Sequence, residues 1–387
     1  MVIKRLVIFV LVFSHAPLWG EDKIPRPKPV APPGAEAVEA SIRRGVDFLL
    51  LRQNKDGSWG TARRTKNLNI VAPVPGSHWS YRAATTALAV SALLETGDPR
   101  AEVGSAIDRG EAWLLEWLPK IRRGSAGVMY SVWAHAYGIQ ALVRMHGRDP
   151  DDRRRRRGIE KQIAQQIDLL ARDESVGGGW GYYNFLYNTQ KPVLMMTSFT
   201  SATVLIAFAE AKQIGIDVPQ KLVDAGLHNL RLQQKPDFSY LYHEGHWLRP
   251  LGSINRPGGS LGRSQVCNLA LRLWGDKKIT DQVMIDWLDR LVARNLWLDI
   301  GRKRPIPHES HFKVAGYFYY YGHYYAAYCV EQLAVQQRSR LKDHLAVLML
   351  KHQDKDGCWW DYPLFDYHQQ YGTAFAVMTL VRCRHNN

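Results

Sequence analysis

Residues 44–59 read RGVDFLLLRQNKDGSW, and residues 85–97, TTALAVSALLETG, follow within one loop length. The first stretch ends a helix whose apolar residues Ile42, Val46, Leu49 and Leu50 recur at i, i+3 and i+4, so that one face is buried and the other meets water. It then breaks into a turn carrying Gln53, Gly57 and Trp59. The second stretch is a helix of small and apolar residues without lysine or arginine, suited to burial on every side. One amphipathic helix, a Gly- and Trp-containing loop and one buried helix make up the repeating unit.

The unit recurs along the chain. First helices are expected to begin near Ser41, Ser105, Ile163, Pro219, Thr280 and Ser339, a period of about 55 to 65 residues. Second helices contain AHAYGIQALVRMHG (134–147), TSATVLIAFAE (200–210), SQVCNLALRLWG (264–275), GHYYAAYCVEQLA (322–334) and GTAFAVMTLV (372–381). Pairs of this kind close into two concentric rings, outer helices around inner ones, and leave no terminal repeat needing a cap. The expectation is an all-α chain, an α6/α6 toroid of six helical hairpins over residues 38–387. An open tetratricopeptide solenoid has a period near 34 and short loops.

Residues 44–59 are similar to the QW motif of squalene and oxidosqualene cyclases. Gln353, Gly357 and Trp359 form a partial copy, and residues 177–181, GGGWG, a fragment. The phrase from Thr373 to Leu380 is also typical of those cyclases. On these residues the chain resembles the terpenoid cyclase and protein prenyltransferase superfamily, as a prenyltransferase and squalene-cyclase repeat protein. The resemblance implies the toroid, and a structural role for Gln53 and Trp59.

The reactions of those families need residues that are displaced here. The alkene-protonating DxDD of class II cyclases belongs just before the inner-helix phrase, and none of the corresponding windows holds an acid. Asp149-Pro150-Asp151-Asp152 matches as a string, but it follows an inner helix and runs into Arg153–Arg157, where a carboxylate stays ionised. The prenyltransferase Asp-x-Cys zinc site finds Gln265-Val266-Cys267, with His323 one repeat later.

Two His-Glu-x-His strings remain, in the loops of repeats four and five. His243, His246, His308 and His311 are the expected ligands of a divalent metal, zinc by donor type. Inner helix five opens with Tyr317, Tyr320, Tyr321, His323 and Tyr324, too many hydroxyls for a dry core. His311, His323 and Tyr321 are the catalytic candidates. His135, Tyr317, Tyr320, Tyr324, Trp133 and Arg263 are the expected ligand contacts. Aligned inner helices are polar at Thr86, His135, Ser201, Ser264, His323 and Thr373, read either as local backbone bonding or as a polar ring below the cavity mouth.

Lys4 and Arg5 precede the apolar run Leu6–Phe13, the pattern of an export signal over residues 1–20. An uncleaved membrane anchor is the other reading of that run. Residues 21–37 read as an extended, uncovered Pro-rich linker. The four cysteines are expected as free thiols. A formal charge of +15, with runs such as Arg153–Arg157 read as a solvated loop, favours an anionic envelope surface. Export and the lack of interleaved aromatics argue against nucleic acid. The expected protein is a secreted or periplasmic monomer binding an extended apolar (lipid or isoprenoid) or glycan-like ligand in a central aromatic cavity. Its rivals are a divergent enzyme using the His/Tyr rim, on an isoprenoid or as an acidic-polysaccharide lyase, and an envelope interaction module.

Overall fold

The computed structural model describes residues 24–65, 75–184, 191–193 and 195–385, so the expected export signal lies outside the described residues. Helices alternate between two layers. The outer layer holds α1 (Ala35–Leu51), α3 (Ala101–Trp117), α5 (Arg153–Asp173), α7 (Gln220–Leu232), α9 (Asp281–Ala293) with the short α10 (Asn295–Asp299), and α12 (Val335–Lys351). The inner layer holds α2 (Pro75–Thr96), α4 (Ser131–Arg148), α6 (Ser198–Gln213), α8 (Leu261–Leu273), α11 (Phe318–Glu331) and α13 (His368–Arg382). Inner helices touch in the order α2, α4, α6, α8, α11, α13 and back to α2, which closes the ring. The described residues contain no β-strand, only isolated bridges. None of their helices is long and apolar enough to cross a membrane.

Composition explains the layering. Every residue of α6 from Ser198 to Ala211 is buried, because nearly all are small or apolar. In α1 burial is confined to Val38, Ser41, Ile42, Gly45, Val46, Phe48 and Leu49, one amphipathic face.

The glutamine–tryptophan turns stitch neighbouring repeats together. Gln53 Nε2 donates to the Gly57 carbonyl (2.9 Å) and, across the repeat boundary, to that of Ala106 (2.8 Å). The Trp59 indole donates to Leu49 O (2.7 Å), and its ring edge lies where a side chain on Gly110 of the next outer helix would stand. Trp180 repeats this against Gly226. In the last repeat Gln353 reaches back to Ser41 O (3.0 Å) and Trp359 packs on Gly45, joining the end of the chain to its beginning.

Several expectations shift. Four outer helices, α1, α3, α5 and α12, begin earlier than periodicity suggests, α5 by ten residues. Arg153–Arg157 is therefore helix rather than solvated loop. Asp152 caps it by accepting from Arg155 N (2.9 Å), and Glu111 neutralises Arg155 (2.7 Å). The linker is also not uncovered from residue 24 onward. Arg26 reaches the buried Asp289 on α9 (3.3 Å), and the Lys28 carbonyl lies 3.0 Å from His344 Nε2 on α12. All four cysteines are free and buried.

The carboxyl ends of the inner helices converge on a buried ion cluster. Arg144 pairs with Glu95 (2.6 Å) and Glu210 (2.9 Å), while Arg382 binds Glu95 and approaches Glu331 (3.4 Å). Glu95, held by two arginines, keeps its carboxyl below the ordinary range although burial opposes this. Burial wins at Glu210, which has Arg144 alone as its direct ion-pair partner, and raises its carboxyl. The arginines also complement the negative ends of the helix dipoles. This floor leaves the amino-terminal end of the ring as the way in.

Candidate functional site

Inside that end lies a cavity of about 440 Å³. Its wall takes Tyr81, Ala84, Thr85 and Leu88 from α2, Trp133 and Tyr137 from α4, Phe199 from α6, Phe318 and Tyr321 from α11, and Tyr371 and Phe375 from α13. Loops add Tyr130, Tyr182, Tyr183, Pro307, His308, Tyr317, Tyr362 and Leu364. Among the described residues the lining contains no Asp, Glu, Lys or Arg. Some rings of the belt meet edge-on, as Phe199 with Phe318 (5.0 Å) and Tyr137 with Phe375 (5.8 Å), and others stack, as Trp133 with Tyr137 (5.8 Å) and Tyr130 with Tyr182 (5.8 Å).

The placement follows from helical geometry. The aligned polar residues do not form a ring below the mouth; they point to the outer layer. Thr86, Ser201 and Thr373 accept the backbone N–H of Trp59 (3.0 Å), Trp180 (2.9 Å) and Trp359 (3.1 Å). His135 Nδ1 lies 2.7 Å from Gln166 Oε1 on α5. His323 is bonded to Asn295 (2.8 Å) and its own Tyr319 carbonyl (2.7 Å). Two residues earlier, roughly 200° round the helix, stand Ala84, Trp133, Phe199, Gly262, Tyr321 and Tyr371. All but Gly262 line the cavity. Gly262 instead lets α8 close on α11, where a Cβ on Gly322 would meet its Cα at 2.7 Å.

Of the expected ligand contacts, Trp133 and Tyr317 line the cavity and His135, Tyr320, Tyr324 and Arg263 do not; of the catalytic candidates, Tyr321 lines it and His323 and His311 do not. Tyr324 belongs to the floor, its hydroxyl 3.3 Å from Arg144. Arg263 lies behind the wall, stacked on Tyr242 (5.3 Å) and Phe318 (5.7 Å), donating only to the carbonyls of Gly259, Tyr240 and Ile254. Buried without a carboxylate, its guanidinium is pushed down to about 10.

The four loop histidines do not assemble into a metal site. Among the described residues no group of three or more His, Cys, Asp or Glu is placed to hold an ion. His243 and His246 lie 3.8 Å apart between ring centroids, tilted by 42°, and desolvation drives His243 down to about 4. His311 is exposed beside Phe312 (4.8 Å), so the structure does not bring it together with the other three. The prenyltransferase zinc arrangement fails too: Gln265 bonds to the Trp287 carbonyl (2.9 Å), and burial pushes the Cys267 thiol far up.

His308 has a different role. It and Lys313 both adopt left-handed backbone (φ 64° and 52°), which lets the imidazole Nδ1 meet the Lys313 carbonyl at 2.7 Å. That contact requires Nδ1–H, leaving Nε2 as an acceptor 3.4 Å from Tyr317 Oη. The chain of hydroxyls continues from Tyr317 to Tyr242 (3.2 Å) and Tyr182 (2.5 Å), with Tyr130 and Tyr183 paired at 2.6 Å beside it. Burial keeps His308 neutral and raises the phenols of Tyr182, Tyr317 and Tyr130. The mouth is a neutral rim of hydrogen-bonding hydroxyls above an apolar chamber.

One acid stands directly behind the wall. Asp361 is fully buried; Oδ1 accepts the cavity residue Tyr371 Oη–H (2.8 Å), and Oδ2 accepts the Tyr320 backbone N–H (3.1 Å). Burial pushes its carboxyl up to about 7 against both bonds and the attraction of Arg302. Sequence reasoning passed over it by searching only the residues just before each inner-helix phrase. The signal was an acid flanked by Trp360 and Tyr362, just beyond the partial tryptophan-turn copy at Gln353–Trp359.

No protein-family model matches the sequence. Among solved structures, the type II terpene cyclase MstE from Scytonema is 14% identical, with 90% of this chain and 98% of that one aligned at a TM-score of 0.51. The GH76A α-1,6-mannanase of Salegentibacter sp. HEL1_6 is 10% identical over 90% and 98% of the two chains, at 0.53. The unsaturated glucuronyl hydrolase from Streptococcus agalactiae is 12% identical over 91% and 93%, at 0.56. All three are toroid enzymes, and identities this low speak for the fold alone: the chain is an α/α toroid.

Proposed function

We propose that this toroid binds an extended apolar chain of the isoprenoid class, seated in the aromatic chamber with its polar end at the tyrosine rim. The observation that carries this reading is the wall itself. About 440 Å³ is ligand-sized, and the lining is aromatic and without charge among the described residues. Dry aromatic faces favour hydrocarbon, and they favour positive charge developing on it. A glycan-hydrolysing site needs a pair of carboxylates facing the ligand, and a uronate-binding site needs cations in the wall. Neither is among the described lining residues.

We read the protein as exported, so it should be purified from its native envelope and analysed by untargeted mass spectrometry. The expected result is a retained isoprenoid-class lipid, no stoichiometric metal, and an intact mass lacking about the first twenty residues. A retained oligosaccharide would overturn the ligand class, and a full-length mass with membrane retention would overturn cleavage of the signal.

A catalytic reading is favoured by the Asp361–Tyr371 couple. In this step Tyr371 Oη–H protonates a ligand double bond while protonated Asp361 returns a proton to the phenol oxygen, leaving a carboxylate and a carbocation faced by the aromatic wall; proton loss by the reverse path restores the alkene and the acid. Atoms and charge balance without a cofactor. In D2O the wild-type protein should introduce deuterium into its retained lipid, and Tyr371→Phe should slow that exchange by about a hundredfold or more. Exchange at the wild-type rate in Tyr371→Phe, or none in either protein, would remove the catalytic reading.

A further inference from the structure

At the opposite end of the ring, the last turns of five inner helices enclose a second recess of about 390 Å³. The chamber wall ends at Leu88, Tyr137 and Phe375 on α2, α4 and α13, whereas the recess starts at Glu95, Val143 and Val381, nearly two turns further on. It therefore lies on the far side of the ion cluster from the chamber. Its charged lining is Glu95, Arg144, Glu210, Glu331 and Arg382. Val143, Val381 and the ring of Tyr328 give it an apolar flank, and the exposed Gln213 stands at its edge. Three carboxylates face two guanidiniums, so the lining carries one negative charge in excess when all are ionised.

The arginines are already committed. Arg144 bonds Glu95 (2.6 Å), Glu210 (2.9 Å) and the Gln140 carbonyl (2.8 Å), and Arg382 bonds Glu95 through both terminal nitrogens. The carboxylates are not. Glu210 is 4% exposed, and its Oε1 has no partner among the described residues. Glu331 has Arg382 alone as an ion-pair partner there, at 3.4 Å. Burial raises both carboxyls, so the cations present do not compensate them in full. Neighbouring cations are engaged elsewhere: Arg148 pairs with Asp108 (2.6 Å), Arg384 with Glu39 (2.7 Å), Lys342 donates to the Arg384 carbonyl (2.6 Å), and Lys212 lies over Trp274 (5.1 Å). A buried acceptor without a donor is costly, and a buried carboxylate short of positive charge more so. A water molecule would satisfy the oxygen but supply no charge. No three of His, Cys, Asp or Glu among the described residues are placed to hold a metal ion. An organic cation with several N–H donors and a short apolar stem meets each condition. The spare acceptors are Glu210 Oε1, the Glu331 carboxylate and the Gln213 amide oxygen, and an alkylammonium carries three N–H bonds.

We infer that this recess is a second binding site, one that takes a primary alkylammonium group, with its N–H donors on Glu210 and Glu331 and its methylenes against Val143 and Val381. This goes beyond the chamber's ligand and does not depend on it. The test is isothermal titration calorimetry of the purified protein with n-butylammonium chloride. Saturable binding is expected with a Kd of about 1 mM or tighter, and none with n-butanol. Glu331→Gln should weaken binding by about tenfold or more, as should Glu210→Gln. Glu36→Gln, exposed at the same end of the ring, should bind like wild type. Glu331 is half-buried, so its variant tests the site even where Glu210→Gln fails to fold. A parallel titration with N-acetyl-lysine amide separates the two sources of this chemistry. Tighter binding of the blocked lysine assigns the site to a lysine of a partner chain, and tighter binding of n-butylammonium assigns it to a free amine. No binding of either cation overturns the inference. So does binding that Glu331→Gln retains in full, an equal loss in Glu36→Gln, which would be general charge attraction, or equal binding of n-butanol.

Discussion

Truncating Trp59 to alanine is expected to destabilise the protein by about 3–5 kcal/mol, the usual cost of removing a buried indole. The ring is fully buried, wedged where Gly110 of α3 and Val90 of α2 come together. Truncation leaves a cavity between two repeats and removes the indole N–H that the Leu49 carbonyl accepts at 2.7 Å, leaving that carbonyl only the longer bond from Arg52 N (3.2 Å). Neither loss can be repaired by collapse, because Gln53 still ties the Gly57 and Ala106 carbonyls in place. Chemical denaturation should show the midpoint falling sharply. An unchanged midpoint would mean that the tryptophan turns are ornaments of the fold and not its joints.

The ring was legible because three of its joints, at Trp59, Trp180 and Trp359, carry all or part of a local signature. A glycine in an outer helix, a glutamine at its end and a tryptophan beyond it are neighbours in sequence, and their contacts reach only the next repeat. The cavity was harder to read for a reason of geometry. Inner helices are buried on all sides, so hydropathy does not say which side faces the centre. Thr86, Ser201 and Thr373 stood out as polar, but their hydroxyls serve backbone groups of the outer layer. The side that faces the centre is marked by residues two positions away, and only the packed structure distinguishes those aromatics from ordinary core. The histidine strings misled for a related reason. Residues close in sequence on two loops need not converge, and His311 turns to solvent while His308 turns inward.

Asp361 gives the other large effect, with opposite sign. Its folded carboxyl titrates at about 7, above the ordinary value of 3.8. Between those two values the folded state holds a proton that the unfolded state has released, so stability falls as pH rises through that window. Above it the full cost applies, roughly three units or about 4 kcal/mol. The groups facing the carboxyl are Tyr319 and Tyr320 on α11, Tyr371 on α13, Tyr362 beside it and Arg302 from the preceding loop. Only Arg302 is a cation, and it forms its ion pair with Asp299. Asp361→Asn keeps one oxygen for the Tyr320 N–H and offers an amide donor toward Tyr371, close to the pattern of the protonated acid. The variant should therefore gain up to about 4 kcal/mol over wild type above pH 7 and almost nothing near pH 4. Measuring the difference between the two proteins across that range cancels the other buried carboxylates, Glu210 and Glu331 among them. A residue whose replacement stabilises the fold is one the fold does not need, and a buried acid kept at that cost beside a cavity phenol points to proton transfer. If the difference is flat with pH, Asp361 stays ionised at neutrality, and the couple with Tyr371 loses its capacity to exchange a proton there.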